Sequence, residues 1–120
     1  MYICPMYSSE LLKGTLKTII LQLLKEKGRM YGYEMTQWVK ETSEDQIQIT
    51  EGALYPLLHA LEANGDVETE TEYIGKRVRK YYRLTSQGKK NTKKKVSELE
   101  SFMETIQLLL HPKKRIHGIA

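Results

Sequence analysis

The sequence has few of the residues that build disulfides, metal sites or membrane spans. Its 120 residues include a single cysteine, Cys4, so no internal disulfide can form and a cytoplasmic protein is expected. The three histidines are scattered without the spacing of metal ligands, which predicts that there is no metal site. No apolar run approaches the ~18–20 residues that a membrane span needs, and the start of the chain lacks the pattern of a signal peptide.

Groupings of residues that carry catalysis are also missing. The sequence shows no Ser/His/Asp or Cys/His arrangement, no glycine-rich loop that would cradle a phosphate, and no carboxylate pair in an apolar setting. These absences argue against an enzyme, and they predict neither a catalytic residue nor a cofactor.

Two consecutive segments each carry charged residues of only one sign. Residues 41–72 contain nine acids and neither lysine nor arginine, whereas residues 73–97 contain ten basic residues and no acid. Such a basic block favours a polyanionic partner. The alternative is a solvated surface on which arginines pair with Glu68, Glu70 and Glu72 across two strands. The charge pattern alone does not separate the two.

The segment from Thr50 to Leu84 carries the clearest structural pattern. Its first half places leucines at helical spacing after a threonine N-cap, and it ends at the helix-stopping pair Asn64-Gly65. Acidic residues then alternate with valine, threonine and tyrosine up to a turn at residues 74–76, and a basic strand returns over residues 77–84. A helix followed by a basic-tipped hairpin predicts a winged helix, in which the helix enters a DNA groove and the hairpin contacts phosphates.

Two further helices are predicted before this segment. The first begins after Ser8 and ends before Gly28, with Gly14 inside it, where close packing against another helix would account for the glycine. Residues 29–32 are predicted to be a linker. A shorter helix over residues 33–41 and a polar loop then complete a helix-turn-helix candidate with the helix that follows.

Three motifs in this order resemble the PadR family of bacterial transcriptional regulators: KGRMYGYEM, EGALYPLLHALEANGDVE and KYYRLTSQGKK. The resemblance extends from Leu11 to Lys90. It implies a fold that is mostly α with a small β-hairpin, namely a winged helix-turn-helix DNA-binding domain over residues 1–85. It also implies a repressor that occupies operator DNA as a homodimer. Relatives that release DNA on binding small molecules imply an aromatic or drug-like effector.

On this interpretation, DNA is contacted by the start of the recognition helix and by the hairpin. The recognition helix, residues 50–64, has no lysine or arginine, so affinity is expected largely from the hairpin tip, the helix N-terminus and the lysines beyond Leu84. Tyr55 is assigned a phosphate contact, and the alternative is a half-buried tyrosine that braces the helix. The predicted DNA-binding residues are Thr50, Gly52, Ala53, Tyr55, Lys76, Arg77, Arg79 and Lys80.

The last helix is predicted over residues 86–111, with Thr85 as its cap. Apolar residues recur along it at alternating spacings of three and four, which is the seam that a partner helix selects. We therefore expect a C-terminal dimerisation helix, against the alternative that it packs only on its own domain. Residues 112–120 are expected to be a basic tail. The predicted interface residues are Val96, Leu99, Phe102, Met103, Ile106, Leu109 and Leu110.

The sequence therefore predicts a sequence-specific DNA-binding regulator, a repressor that binds an inverted-repeat operator as a homodimer. The alternative is a winged-helix module for protein–protein interaction without DNA binding, because the recognition helix is acidic. The basic pair Lys76 and Arg77 beside Gly75 argues for DNA, since such a module has no need of it.

Overall fold

A computed structural model describes residues 7–112, in which helices and strands follow one another in the order of a winged helix. The elements are α1 (Ser9–Leu12), α2 (Leu16–Lys27), β1 (Met30–Tyr31), α3 (Gly32–Thr42), α4 (Glu51–Ala63), β2 (Val67–Ile74), β3 (Arg77–Leu84) and α5 (Ser86–Leu110). The mostly helical class with a small sheet is the one that the sequence predicted. Cys4 and the predicted basic tail from residue 113 onwards lie outside the described residues.

The strands form an antiparallel sheet in the order β1-β3-β2. β2 and β3 pair over all eight residues of each strand, with Val67 opposite Leu84 at the base of the hairpin. Gly75 and Lys76 form the turn, and Gly75 has φ +62°, which glycine adopts without the strain that a side chain would bring. The predicted hairpin is confirmed, and residues 67–84 are called the wing from here on.

The third strand, β1, lies where the sequence predicted a linker. Met30 is paired with Tyr82, and Tyr31 with Tyr81. Two residues are too few for the alternation that identifies a strand in a sequence, so the linker prediction was wrong here. The strand joins the start of α3 to the wing and thereby fixes the hairpin against the helices.

The first predicted helix is interrupted. Residues 13–15 form a turn between α1 and α2, so Gly14 lies in this turn and not inside a helix. The Thr15 amide and hydroxyl both donate to the Leu12 carbonyl, at 2.9 and 3.0 Å, which ends α1 after one turn. Among the described residues outside 13–15, no heavy atom lies within 4 Å of the place that a Cβ on Gly14 would occupy. The expected close packing of this glycine against another helix is therefore not found.

α4 has the cap and the buried stripe that its sequence predicts. The Thr50 hydroxyl accepts a hydrogen bond from the Ala53 amide at 3.1 Å. Leu54, Leu58 and Leu61 are buried in one core cluster with residues of α2, α3 and the base of the wing. Burying one such leucine stabilises the fold by about 1.5–3 kcal/mol, so this stripe holds α4 firmly in place. The core residues are Ile20, Leu21, Leu23, Leu24, Met30, Met35, Val39, Ile49, Leu54, Leu58, Leu61, Val67, Tyr82 and Leu84.

α5 is a helix of 25 residues whose two halves lie in different surroundings. The helix packs against α2 and β3, and Gly88 and Thr92 in its first half are buried. From residue 93 to its end the helix contains no buried residue. No helix within residues 7–112 is long and apolar enough to cross a membrane.

Candidate nucleic-acid interface

The N-terminal turns of α4 are open to solvent. Thr50, Glu51, Gly52 and Ala53 are all exposed. Gly52 has no side chain and Ala53 has only a methyl group, so another molecule can approach the helix backbone closely here. The free N–H groups at the start of a helix also attract negative charge. Three of the predicted DNA-binding residues, Thr50, Gly52 and Ala53, therefore share one accessible helix end.

The solvent-facing side of α4 is uncharged over most of its length. Pro56, His59, Ala60 and Ala63 are exposed along it. This surface carries no side-chain cation that could pair with a phosphate. Electrostatic affinity must come from another element, as the sequence also indicated.

The three wing glutamates pair with two arginines, one of which lies outside the wing. Arg83 of β3 pairs with Glu68 at 2.8 Å and with Glu70 at 2.9 Å. Arg29, which precedes β1, pairs with Glu70 at 2.9 Å and with Glu72 at 2.7 Å. The hydrogen bond with Glu72 is the main reason why the pKa of Arg29 is raised. The sequence analysis missed Arg29, because its partners lie more than 40 residues away.

The remaining arginines of β3, Arg77 and Arg79, form no ion pair with a carboxylate within residues 7–112. The alternative in which arginines of this strand pair with the wing glutamates holds for Arg83, whereas Arg29 is the second partner. The Arg79 guanidinium lies 4.1 Å from the centroid of the Tyr31 ring, and Tyr31 meets Tyr81 edge-on at 5.5 Å. Stacking on an aromatic face restrains the guanidinium without cancelling its charge.

A cleft of about 340 Å³ lies between the wing and the starts of α3 and α4. Tyr55, Arg77, Arg79 and Lys80 all line it, so four of the predicted DNA-binding residues come together in one concave, basic site. Lys76 is exposed at the turn of the wing, beside this cleft but not in its lining. The eight predicted residues thus fall into a helix end, a cleft and a wing tip.

Tyr55 is half-buried, with its ring against Gly32 at the start of α3. A Cβ on Gly32 would come within 2.8 Å of the Tyr55 ring carbon that bears the hydroxyl. Burial, with a smaller contribution from Glu51, raises the pKa of Tyr55. The hydroxyl is protonated at neutral pH, as in any tyrosine, and can donate a hydrogen bond. The ring braces α4 against α3, while the side chain also forms part of the cleft wall.

Asp66 is a buried carboxylate that the sequence analysis did not single out. Only 1% of the residue is exposed. Its Oδ1 accepts hydrogen bonds from Asn91 at 2.7 Å and Gln87 at 3.2 Å, and its Oδ2 accepts one from Asn64 at 3.1 Å. Burial alone would raise the pKa of Asp66, but these three amide donors together hold it below the ordinary value. In a sequence, an aspartate after Asn-Gly suggests an exposed turn, which is why its burial was not expected.

The predicted interface residues of α5 differ in exposure. Val96, Leu99 and Ile106 are half-buried. The other four are exposed in the single chain, by 51% at Met103, 59% at Phe102, 65% at Leu110 and 70% at Leu109. The half-burial of Val96, Leu99 and Ile106 within a single chain agrees with packing of α5 on its own domain, and the dimer interface stays a prediction.

Comparison with known proteins identifies the family. A model described as the transcriptional regulator PadR-like family matches residues 20–94, which include α3, the recognition helix α4 and the whole wing. The chain belongs to the PadR-like family. The resemblance carried by the three sequence motifs is thereby confirmed, and this family is one of DNA-binding transcriptional regulators, not of enzymes.

Solved and curated relatives of this PadR-like protein agree in fold and length. A transcriptional regulator from Clostridium thermocellum is 34% identical, with 82% of this chain and 96% of that chain covered and a TM-score of 0.77. A PadR family transcriptional regulator from Eggerthella lenta is 29% identical, with 85% and 87% covered and a TM-score of 0.76. An uncharacterized protein from Lysinibacillus sphaericus is 37% identical over 108 residues, which are 88% of this chain and 96% of the relative.

Proposed function

We propose that this PadR-like protein is a cytoplasmic repressor that binds an inverted-repeat operator as a homodimer. The observation that supports this best is the distribution of charge on the wing. Arg29 and Arg83 pair with the three glutamates and offset most of their charge, while Lys76 and Arg77 stand exposed at the tip. Positive charge at a projecting tip suits phosphate, and phosphate contacts supply most of the sequence-independent affinity of DNA-binding proteins.

The wing supplies affinity in this proposal. Lys76 and Arg77 contact phosphates at the tip. Arg79 and Lys80, which point to opposite faces of β3, contact separate phosphates of the same strand beside the cleft. The Tyr55 hydroxyl donates a hydrogen bond to the DNA backbone from the opposite wall of the cleft, which Tyr55 lines together with Arg79 and Lys80. Contacts of this kind fix the position of a protein on the duplex but carry no base sequence directly.

The start of α4 supplies sequence recognition. Thr50 offers a hydroxyl to base edges in the major groove, and Ala53 offers a methyl group suited to the methyl of thymine. Gly52 lets the helix backbone come close to the DNA. These three exposed residues are the ones that base recognition depends on.

A second copy of the chain covers the exposed half of α5. The seam residues Met103 and Leu110, with Phe102 and Leu109 beside them, would form a large apolar patch on a monomer. Their seven-residue repeat matches a partner helix of the same kind. The two-fold axis of such a dimer requires an operator with two-fold symmetry.

An aromatic or drug-like effector binds between the paired α5 helices and releases DNA. Phe102 and Met103 are exposed there and offer apolar contacts. Trp38 lies in α3 and packs against the core, so the α5 helices hold the effector without a tryptophan. Thermal-shift screening of phenolic acids and cationic dyes tests this part, with release of bound DNA as the second readout. The absence of any shift would contradict an effector of either kind.

Footprinting on the promoter of the protein's own transcription unit tests the proposed function as a whole. We expect two protected half-sites in inverted orientation, with centres about 10–21 base pairs apart, which is one or two helical turns. Protection of a single half-site, or of none, would contradict the repressor model. A protein-interaction module would give no footprint at any salt concentration.

A further inference from the structure

Asp66 occupies the junction where the recognition helix, the wing and the C-terminal helix meet. α4 ends at Ala63, β2 begins at Val67 and α5 begins at Ser86, so the residue lies between all three. We propose that Asp66 is a positioning residue that holds α5, and with it the dimer axis, at a fixed orientation to the DNA-binding surface. This inference rests on the proposed homodimer and its inverted repeat.

The side chain of Asp66 is held mainly from α5. Gln87 and Asn91, one turn apart on that helix, both donate to Oδ1, at 3.2 and 2.7 Å. Asn64, from the end of α4, donates to Oδ2 at 3.1 Å. A buried carboxylate that lost these donors would be left with unsatisfied lone pairs, so the three elements are tied to one position.

The backbone of Asp66 is held by the first turn of the same helix. The Thr85 amide donates to the Asp66 carbonyl at 3.0 Å, and the Thr85 hydroxyl accepts from the Gly88 amide at 2.9 Å as the N-cap. A Cβ on Gly88 would overlap the carbonyl group of Asp66, so α5 can lie this close only with glycine there. Both the main chain and the side chain of Asp66 thus fix where α5 begins and in which direction it runs.

A small change of direction at this junction has a large effect at the far end of the helix. α5 has 25 residues. At 1.5 Å per residue that is about 37 Å, so a tilt of about 10° would move the far end by roughly 6 Å. Adjacent base pairs are about 3.4 Å apart, so such a movement corresponds to nearly two base pairs of half-site separation. A fixed junction therefore selects one spacing between half-sites.

A purely stabilising role for this network makes a different prediction. If Asp66 only stabilises the fold, loosening its contacts lowers stability but leaves the spacing preference of the folded protein unchanged. If Asp66 positions α5, the folded dimer accepts several spacings and binds the best of them less tightly. The dependence of affinity on spacing is the measurement that separates the two.

The test uses the full chain with Gln87→Ala and Asn91→Ala combined, since neither residue is fully buried and alanine favours a helix. An operator is first selected with wild-type protein from random duplex DNA. Affinities are then measured for duplexes in which the half-sites are moved apart or together by one and two base pairs. For wild type we expect affinity to fall at least about tenfold per step, and for the variant to vary less than about threefold across the series.

The control is Ser97→Ala with Ser101→Ala, two exposed polar residues farther along α5 that do not touch Asp66. It should keep the wild-type spacing dependence. Light scattering establishes that all three proteins are dimers, and a duplex with a single half-site should bind each with equal affinity. A folded, dimeric Gln87→Ala/Asn91→Ala protein with the wild-type spacing dependence would overturn the inference. Failure of the proposed function would appear separately, as a wild-type protein that selects no inverted repeat.

Discussion

Arg29 and Glu72 are 43 residues apart in the chain and are joined by a hydrogen bond of 2.7 Å between Nη2 and Oε2. The other terminal nitrogen of Arg29 pairs with Glu70 at 2.9 Å, and the guanidinium lies 3.9 Å from the centroid of the Tyr81 ring. Arg29, which lies outside the wing, thereby restrains both strands of the wing. It also cancels negative charge close to the surface that we propose for DNA.

Replacing Arg29 by glutamine should weaken DNA binding more than it weakens the fold. The ion pairs are partly exposed, with 35% of the Arg29 side chain accessible, so their loss should lower the free energy of unfolding only slightly. Glu72 would lose its ion-pair partner and Glu70 would keep only Arg83, so the added negative charge would repel phosphates near the wing tip. Fluorescence anisotropy with labelled DNA at low salt, together with urea unfolding, measures both effects.

Restoring the charge balance provides the control for Arg29. Combining Arg29→Gln with Glu72→Gln removes both members of the shorter pair, so the added negative charge near the tip is reduced. The double variant should recover part of the lost affinity. If Arg29→Gln binds DNA as tightly as wild type, the compensating role of this arginine is refuted.

Replacing both Lys76 and Arg77 by alanine should remove about two phosphate contacts. The slope of the logarithm of affinity against the logarithm of salt concentration should then become shallower by roughly 2 units. Lys25→Ala with Lys27→Ala removes the same charge from the last turn of α2 and should leave the slope close to that of wild type. An unchanged slope in the wing variant would mean that the wing tip does not contact DNA.

The parts of the fold that depend on local pattern could be predicted from the sequence. The Thr50 cap, the leucine stripe of α4 and the hairpin around Gly75 all rest on residues close together in the chain, and the structure has them. The strand at Met30 could not be predicted, because its pairing with Tyr82 is a contact between distant segments. The break at Gly14 was missed because the apolar spacing continues across the turn.

The candidate site shows the same limit. The basic residues of the wing were evident as a block in the sequence, but which arginine neutralises which glutamate depends on where Arg29 lies in three dimensions. Asp66 was overlooked because a charged residue in a turn is usually solvated, and its three amide partners come from two separate helix ends. Long-range contacts of polar side chains leave little trace in one sequence.

Replacing Tyr55 by phenylalanine tests whether its hydroxyl contacts DNA. The aromatic ring that packs against Gly32 is retained, so stability should change little. Affinity should fall about two- to tenfold on every DNA sequence, as expected for one lost hydrogen bond to a phosphate. If the variant instead loses stability while its folded fraction binds normally, Tyr55 only braces α4.

Replacing Asp66 by asparagine should make the free energy of unfolding depend less on pH in the acid range. The pKa of Asp66 is lowered in the folded protein, so its ionised form stabilises the fold above about pH 3.9, the unfolded value, and this contribution is lost as pH falls further. The variant should be less stable than wild type by about 1–3 kcal/mol at pH 7 and at pH 5. Urea unfolding should show the difference shrinking at pH 3, and a difference that is constant or larger there would contradict the lowered pKa.

The dimer is the part of the proposed function on which operator recognition depends. Met103 and Leu110 lie on the seam of α5 and are 51% and 65% exposed in the single chain, so aspartate at both positions should leave the fold of one chain intact. Ser97→Asp with Ser101→Asp adds the same charge to the outward side of the same helix and serves as the control.

The mass of each protein in solution, measured by light scattering at micromolar concentration, is the most direct test. We expect wild type and the serine control to be dimers. Met103→Asp with Leu110→Asp should be a folded monomer that keeps weak, salt-sensitive DNA affinity but loses its preference for the inverted repeat. A wild-type protein that is monomeric at this concentration, and still binds one half-site tightly, would contradict the proposed mechanism.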